Sequence, residues 1–289
     1  MKIGIHNSYA NKDWQSDYSE IIKRVSNIGF DVLEANPGKF FLMTPQQRCD
    51  LKKLAADENV ELIFSFGLPE QYDVASGDKS VRLAGISYMR DIIKTVAEMG
   101  GSMVGGCIYS YWPFSYSGLI PDRQKLLELS VASVQEIIKT AEDYGVDYAI
   151  EVLNRFEQYL INTAQEGVEY IRRIDSPRAK LLLDTFHMNI EECTFEDAII
   201  TGGSFTVDIH MDENNRKFPG MGSMPWDKIL AALKKIDYQG YIVMEPFMIA
   251  GGEVGHDVYL WRDLTNGATA EQIDDMAARS IKYLRGLGY

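Results

Sequence analysis

Four short apolar runs in the second half of the chain each finish on or beside a side chain that can hold a metal ion: AIEV at Glu151, LLLD at Asp184, VDIH at His210 and VMEP at Glu245. The intervals between them, 33, 26 and 35 residues, each span one strand, one helix and their loops. On neighbouring parallel strands of a closed sheet, all four side chains would leave at the same rim and converge. Three carboxylates brought together alone repel and raise one another's pKa, whereas a divalent cation turns that repulsion into binding. Three oxygen donors and one imidazole favour a hard or borderline ion such as Mn2+, Mg2+ or Co2+ over a thiolate-seeking one, with zinc also compatible.

Further polar groups follow these ligand types closely. Glu157 lies six residues after Glu151, His187 three after Asp184 and Arg216 six after His210. All three fall in loops that follow a strand, where a barrel keeps the groups that orient its substrate. An acid, an imidazole and a guanidinium together can grip several hydroxyls of a polyol. Trp14, Trp112 and Phe247 follow the first, fourth and eighth strands and can form an apolar wall. Each of these residues also has a plain structural use, as a cap, a surface charge or core packing; the case rests on their register.

The elements that must position them are legible as alternation. Strand-like runs are expected at Lys2 to His6, Asp31 to Ala35, Glu61 to Phe66, Met103 to Gly106, Tyr148 to Val152, Lys180 to Asp184, Phe205 to His210 and Tyr241 to Glu245. Between them run amphipathic helical patterns, such as Tyr18 to Ile28 and Leu126 to Tyr144. Gly29, Gly100, Gly145 and Gly240 are expected to close helices. Pro45 and Pro225 stand at helix starts, and Thr163 and Thr194 are candidate N-caps. Eight parallel units in 289 residues predict a single (β/α)8 TIM barrel covering residues 1–289. The open doubly wound sheet is the alternative, weakened because no GxGxxG follows the first strand.

Composition narrows the function further. With 29 Lys and Arg against 42 Asp and Glu, the net charge of −13 would repel a phosphate backbone, so no nucleic-acid partner is expected. The 46% hydrophobic and 25% charged content is that of an ordinary globular chain. Cys49, Cys107 and Cys193 are far apart and suit a reducing compartment. No run is long enough to span a bilayer, and no membrane partner is expected. A soluble cytoplasmic protein is the expectation.

Against this background the chain resembles the ketose 3-epimerases, the D-tagatose and D-psicose (allulose) 3-epimerase group of the xylose-isomerase-like barrels, nearly end to end. The resemblance is carried by GGCIYSYWP (Gly105 to Pro113), EVLNRFE (Glu151 to Glu157), LLLDTFHMNIEE (Leu181 to Glu192), NNRKFPGMGSMPW (Asn214 to Trp226), YQGYIVMEPF (Tyr238 to Phe247) and WRD (Trp261 to Asp263). It implies that Glu151, Asp184, His210 and Glu245 bind one divalent metal ion per subunit. It implies that Glu157, His187 and Arg216 hold the O1 to O3 end of a ketose, while Trp14, Trp112 and Phe247 line its pocket. Inverting C3 means taking a proton from one face and returning one to the other, so two bases must flank a planar cis-enediolate. Glu151 and Glu245 are that pair, and the metal would polarise the carbonyl and stabilise the developing charge.

Two rim positions depart from the family pattern. His6 stands where relatives usually carry an aromatic residue, and Asp212 replaces the glycine of H-x-G-E-x-N-R in HMDENNR. EANPGKFF and FSFGLPEQ, after the second and third strands, are also less typical, so the preferred ketose is left open. A homodimer or homotetramer is implied, through the rim and the segment Val258 to Asp263. The alternatives are an aldose-ketose or hydroxypyruvate-type isomerase, or a sugar-phosphate epimerase whose phosphate sits on Gly220 and Gly222 or on Gly251 and Gly252. A metal endonuclease is disfavoured by the charge and by the presence of only four histidines, His6, His187, His210 and His256. A non-catalytic sugar sensor would not need two opposed glutamates.

Overall fold

The structure, a computed structural model, describes residues 2–114 and 122–288. Eight parallel strands close into a barrel in chain order: β1 (Ile3–His6), β2 (Val32–Ala35), β3 (Glu61–Ser65), β4 (Met103–Gly106), β5 (Asp147–Val152), β6 (Ala179–Asp184), β7 (Thr206–His210) and β8 (Tyr241–Met244). The expected (β/α)8 architecture is therefore the observed one. Strand boundaries agree with the apolar runs to within a residue. Glu245 falls just beyond β8 rather than at its last position.

Helices form where the amphipathic stripes and caps require them. The helix Tyr18–Ile28 starts on Asp17, whose side chain accepts from the Ser19 and Glu20 N–H groups, and buries Ile21, Ile22 and Val25. The long helix Arg123–Tyr144 begins three residues before the expected Leu126. Thr163 and Glu166 form a full capping box, and Thr194 accepts from Asp197 N. Gly29, Gly100 and Gly145 end their helices in the left-handed region at φ +99°, +83° and +69°, where a side chain would be strained. Gly240 is a correction. Its helix, Trp226–Lys235, stops earlier and the chain turns left-handed at Asp237, φ +50°. Gly240 is instead needed for a close approach, because a Cβ there would lie within clashing distance of the Val207 carbonyl oxygen.

Strand periodicity explains how the barrel positions a site. Outward residues such as Ile5, Leu33, Val104, Ile150, Leu183 and Ile209 join the helices in the large outer core. Inward residues Val32, Ile63, Met103, Ala149, Leu182 and Val243 fill the barrel with a second, smaller apolar cluster. Side chains alternate along a strand, so the residue two positions further on points inward as well, nearer the C-terminal rim. Those residues are Glu34, Ser65, Gly105, Glu151, Asp184 and Glu245. The apolar layer is thus a floor beneath a ring of side chains that is polar on each of these strands except β4, where Gly105 leaves a gap.

Candidate active site

The four ligand-type residues meet. One donor atom each from Glu151, Asp184, His210 and Glu245 lies within 4.8 Å of the other three. His210 Nδ1 is 3.4 Å from Glu245 Oε2 and 3.8 Å from Glu151 Oε1. Register brings Asp184 and His210 side by side on β6 and β7, while Glu151 and Glu245 approach from β5 and from the end of β8. His210 is buried, with Nδ1 turned to these acids and Nε2 to Glu34 on the opposite edge of the ring. A buried imidazole edge facing three carboxylates fits a divalent cation: the acids supply the charge, and Nδ1 the nitrogen donor.

Glu157, His187 and Arg216 stand on the cavity side of this cluster. The Arg216 guanidinium reaches Asp184 Oδ2 at 2.9 Å, Asp212 Oδ2 at 3.1 Å and Glu245 Oε2 at 3.4 Å through Nη1, and Glu157 Oε1 at 3.6 Å through Nη2. Its backbone is left-handed, φ +59°, and its carbonyl accepts from Phe247 N, which ties the loop after β7 to the end of β8. His187 Nδ1 accepts from Asn154 N, so its Nε2 carries the proton and faces Asp184 Oδ2 at 3.3 Å. Glu157 also accepts from Trp112 Nε1 at 3.3 Å.

The aromatic residues wall the same space. Trp14 meets Trp112 edge-on with centroids 5.8 Å apart and Phe247 at 6.1 Å. His6 contacts Trp14 and Phe247 edge-on, and its Nδ1 lies 2.6 Å from Ser8 Oγ and 3.7 Å from Glu245 Oε1. Together with Glu151, Glu157, His187, Arg216 and Glu245 these side chains line a cavity of about 430 Å3. That volume suits one small, polar molecule held by a few directed groups. All eleven site residues expected from the sequence therefore gather in one place.

Electrostatics separates the two glutamates. Burial, reinforced by Glu245 and Asp184, pushes the Glu151 carboxyl well above its usual range despite His210. Burial acts in the same direction on Glu245, but His210, His6 and Arg216 outweigh it and hold that carboxyl down at about 2. Burial lowers His6 and His187, so both rings are neutral near pH 7. Burial also opposes the Arg216 charge, and Asp184, Glu157, Glu245 and Asp212 more than offset it.

The family model for the xylose isomerase-like TIM barrel matches residues 22–279. The chain belongs to this family. Within it, the chain is 42% identical to D-psicose 3-epimerase of Ruminiclostridium cellulolyticum, over 99% of this chain and 97% of that protein. It is 36% identical to D-psicose 3-epimerase of Agrobacterium fabrum, over 99% and 98%. The crystal structure of D-psicose 3-epimerase with D-tagatose from Clostridium cellulolyticum H10 superposes with a TM-score of 0.97 at 40% identity, covering 99% of each chain. These relatives place this barrel among the ketose 3-epimerases.

Several groups in this family member's site were not singled out by sequence. Phe186 stacks on the Arg216 guanidinium, 3.9 Å from ring centre to Cζ, with Phe247 on another side at 5.2 Å. Asn154 fixes the His187 tautomer. Buried Glu213 accepts from Gly220 N, Met224 N and Trp226 Nε1, and so shapes the loop carrying Arg216. Glu34 lies 2.9 Å from His210 Nε2. Only the position of Phe186, next to His187 on the helix Thr185–Glu191 that directly follows β6 where the sequence predicts a loop, could have hinted at a role.

Proposed function

We propose that the protein is a metal-dependent epimerase inverting C3 of a free ketose, of the D-allulose/D-fructose, D-tagatose/D-sorbose or L-ribulose type. The observation that carries this reading is that Glu151 and Glu245, three strands apart around the barrel, both face one cavity and share a donor cluster with Asp184 and His210. Glu151, Asp184, His210 and Glu245 would hold the ion, with Mn2+ proposed ahead of Co2+ and Mg2+. A bound divalent ion polarises a carbonyl and stabilises the negative charge of an enediolate.

The chain's own residues supply the rest. One glutamate removes the C3 proton and leaves the electron pair in a cis-enediolate. The other delivers a proton to the opposite face of C3. No electron is gained or lost, and the reverse reaction exchanges the two roles. Glu157, His187 and Arg216 hold the O1 to O3 end, while His6, Trp14, Trp112 and Phe247 exclude water from the sugar carbons.

A free sugar fits better than a phosphorylated one. Arg216 is the one cationic side chain lining the cavity among the described residues, and it is already engaged by Asp184 and Asp212. Glu70 and Asp257 stand on the remaining wall. The amides near Gly220 are not open for a phosphate, because Glu213 accepts from Gly220 N and Met224 N. Gly252 packs against the Lys12 carbonyl. We further propose one catalytic domain over residues 1–289, assembled as a homodimer or homotetramer through the exposed Tyr259 and Trp261 near the rim. Light scattering tests the assembly.

The activity is tested by incubating D-fructose, D-tagatose and L-ribulose with the protein and Mn2+ in deuterated water. Deuterium at C3 together with formation of the C3 epimer is expected. Label at C1 without label at C3 would replace this reading with an aldose-ketose isomerase.

A further inference from the structure

The imidazole of His210 addresses two separate groups of carboxylates. Nδ1 faces Glu245 and Glu151 in the proposed metal cluster. Nε2 faces the other way, 2.9 Å from Glu34 Oε2 and 3.9 Å from Asp208 Oδ2. Glu34 arrives from β2 and Asp208 from β7, one inward position below His210; both are fully buried, and their carboxylate oxygens find no hydrogen-bond partner elsewhere. The proposed reaction uses neither. A carboxylate placed deep in a barrel, with no solvent and no donor except one ring nitrogen, is costly unless that contact serves a purpose.

We propose that Glu34 is a positioning residue: it holds His210 in the tautomer and ring orientation that presents Nδ1, not Nε2, to the metal. The ring nitrogen that faces a carboxylate keeps its proton, leaving the opposite nitrogen's lone pair free for coordination. A negative oxygen behind the ring also makes Nδ1 a stronger donor. Asp208 sits 1 Å further from Nε2 than Glu34 does and shares the same buried space. This inference rests on the proposed metal site and concerns which groups support it.

The test is calorimetric titration of Mn2+ into the metal-free full-length protein and its Glu34→Leu and Glu34→Gln variants, alongside melting of the metal-free proteins. The parent should take up one equivalent. Glu34→Leu should weaken binding about 10- to 100-fold, the usual cost of losing such a partner. Its metal-free melting temperature should fall, because His210 loses the buried partner of its Nε2, so the titrations are run below the melting temperature of every variant. Glu34→Gln keeps an acceptor without the charge and should weaken binding about 10-fold; it decides the matter if the leucine variant does not fold. The visible spectrum of the Co2+-loaded variants should shift as the imidazole is released.

A dissociation constant within twofold of the parent's in both variants overturns the inference. So does a Co2+ spectrum identical to the parent's in both variants despite weaker binding, which would make Glu34 a purely structural group. Two equivalents in the parent and one in Glu34→Leu would make Glu34, Asp208 and His210 a cation site of their own and equally overturn it. No Mn2+ uptake by the parent would sink the metal-site reading itself, a distinguishable result.

Discussion

Arg216 Nη1 lies 3.1 Å from Asp212 Oδ2, inside the rim and with Asp212 fully buried, while Asp212 Oδ1 accepts from Glu245 N at 2.8 Å. One carboxylate thus fixes a guanidinium proposed to hold the sugar and the backbone of a proposed base. Asp212→Asn keeps the shape and an acceptor for Glu245 N but loses the charge. A charge-assisted hydrogen bond is worth about 1.5–3 kcal/mol, and Arg216 retains Asp184 and Glu157, so a KM increase of about 10-fold with a smaller change in kcat is expected. Steady-state kinetics on D-fructose with saturating Mn2+ would show it, and an unchanged KM would remove Asp212 from the site's function.

Glu151→Gln and Glu245→Gln each remove one proposed proton carrier. General acid-base catalysis contributes about 10²–10⁴-fold, so kcat should fall by at least that factor in each variant under saturating Mn2+. Both glutamates are also proposed ligands, so metal content must be measured alongside. A metal-loaded variant that retains more than a tenth of the parent kcat would exclude that glutamate as a base.

Much of this site was legible because chemistry and strand period coincide. AIEV, LLLD, VDIH and VMEP are buried strands whose polar residue is also a ligand type, so pattern and register pointed to one rim. Loop residues such as Glu157 and Arg216 followed from their short distance after those strands. Glu34 was hidden because an acid in VLEA reads as the solvent-facing residue of a half-buried strand. Its meeting with His210 depends on β1 and β8 closing the barrel between β2 and β7. Phe186 was hidden for a different reason: beside a histidine in the short helix Thr185–Glu191 it is indistinguishable from core packing until the Arg216 guanidinium is placed on its face. Gly240 was misassigned because a close backbone approach and a helix end both call for glycine.

Stripping the metal should abolish turnover and lower the melting temperature. The cluster gathers three carboxylates whose mutual repulsion a cation relieves. A ligand present at 100 times its dissociation constant stabilises by about 2.7 kcal/mol, which for a chain of this size is roughly 4–5 °C. Chelator treatment followed by readdition of Mn2+ or Co2+ in a thermal melt measures the shift. A melting temperature indifferent to both ions would contradict the proposed ligand set.

Arg155 grips Glu191 with two parallel contacts, Nε to Oε1 at 2.9 Å and Nη2 to Oε2 at 2.8 Å, and joins the loop carrying Glu157 to the helix carrying His187. The hydrogen bonds from Arg155 hold the Glu191 carboxyl below its ordinary value. A depressed folded-state pKa contributes stability above the unfolded value, about 4.5, and that contribution is lost as pH falls through the folded one. Glu191→Gln should therefore be less stable than the parent at pH 7, by about 1 kcal/mol or less since Arg155 is exposed. The two should converge in urea titrations as pH falls below about 4.5 and through the lower folded-state value. A difference that persists undiminished in acid would assign the effect to packing instead.

Gly67 offers a way to move the aromatic wall without touching a proposed metal ligand. A Cβ there would lie 2.6 Å from Trp112 Cε3 and 3.0 Å from Trp112 Cβ, and Trp112 is held from behind by its own N–H on the Leu68 carbonyl. The indole must therefore swing, and its Nε1 contact to Glu157 at 3.3 Å is the weakest restraint on that movement. Displacement disturbs the edge-on contact of the ring with Trp14 and costs Glu157 a donor. Gly67→Ala should raise KM about 10-fold and, by overpacking, cost roughly 1–3 kcal/mol of stability. The dissociation constant for Mn2+ should not change, since none of Glu151, Asp184, His210 and Glu245 touches Trp112. Tryptophan fluorescence, kinetics and metal titration separate these effects; a weakened metal site with an unchanged KM would show that Trp112 supports the cluster and not the sugar.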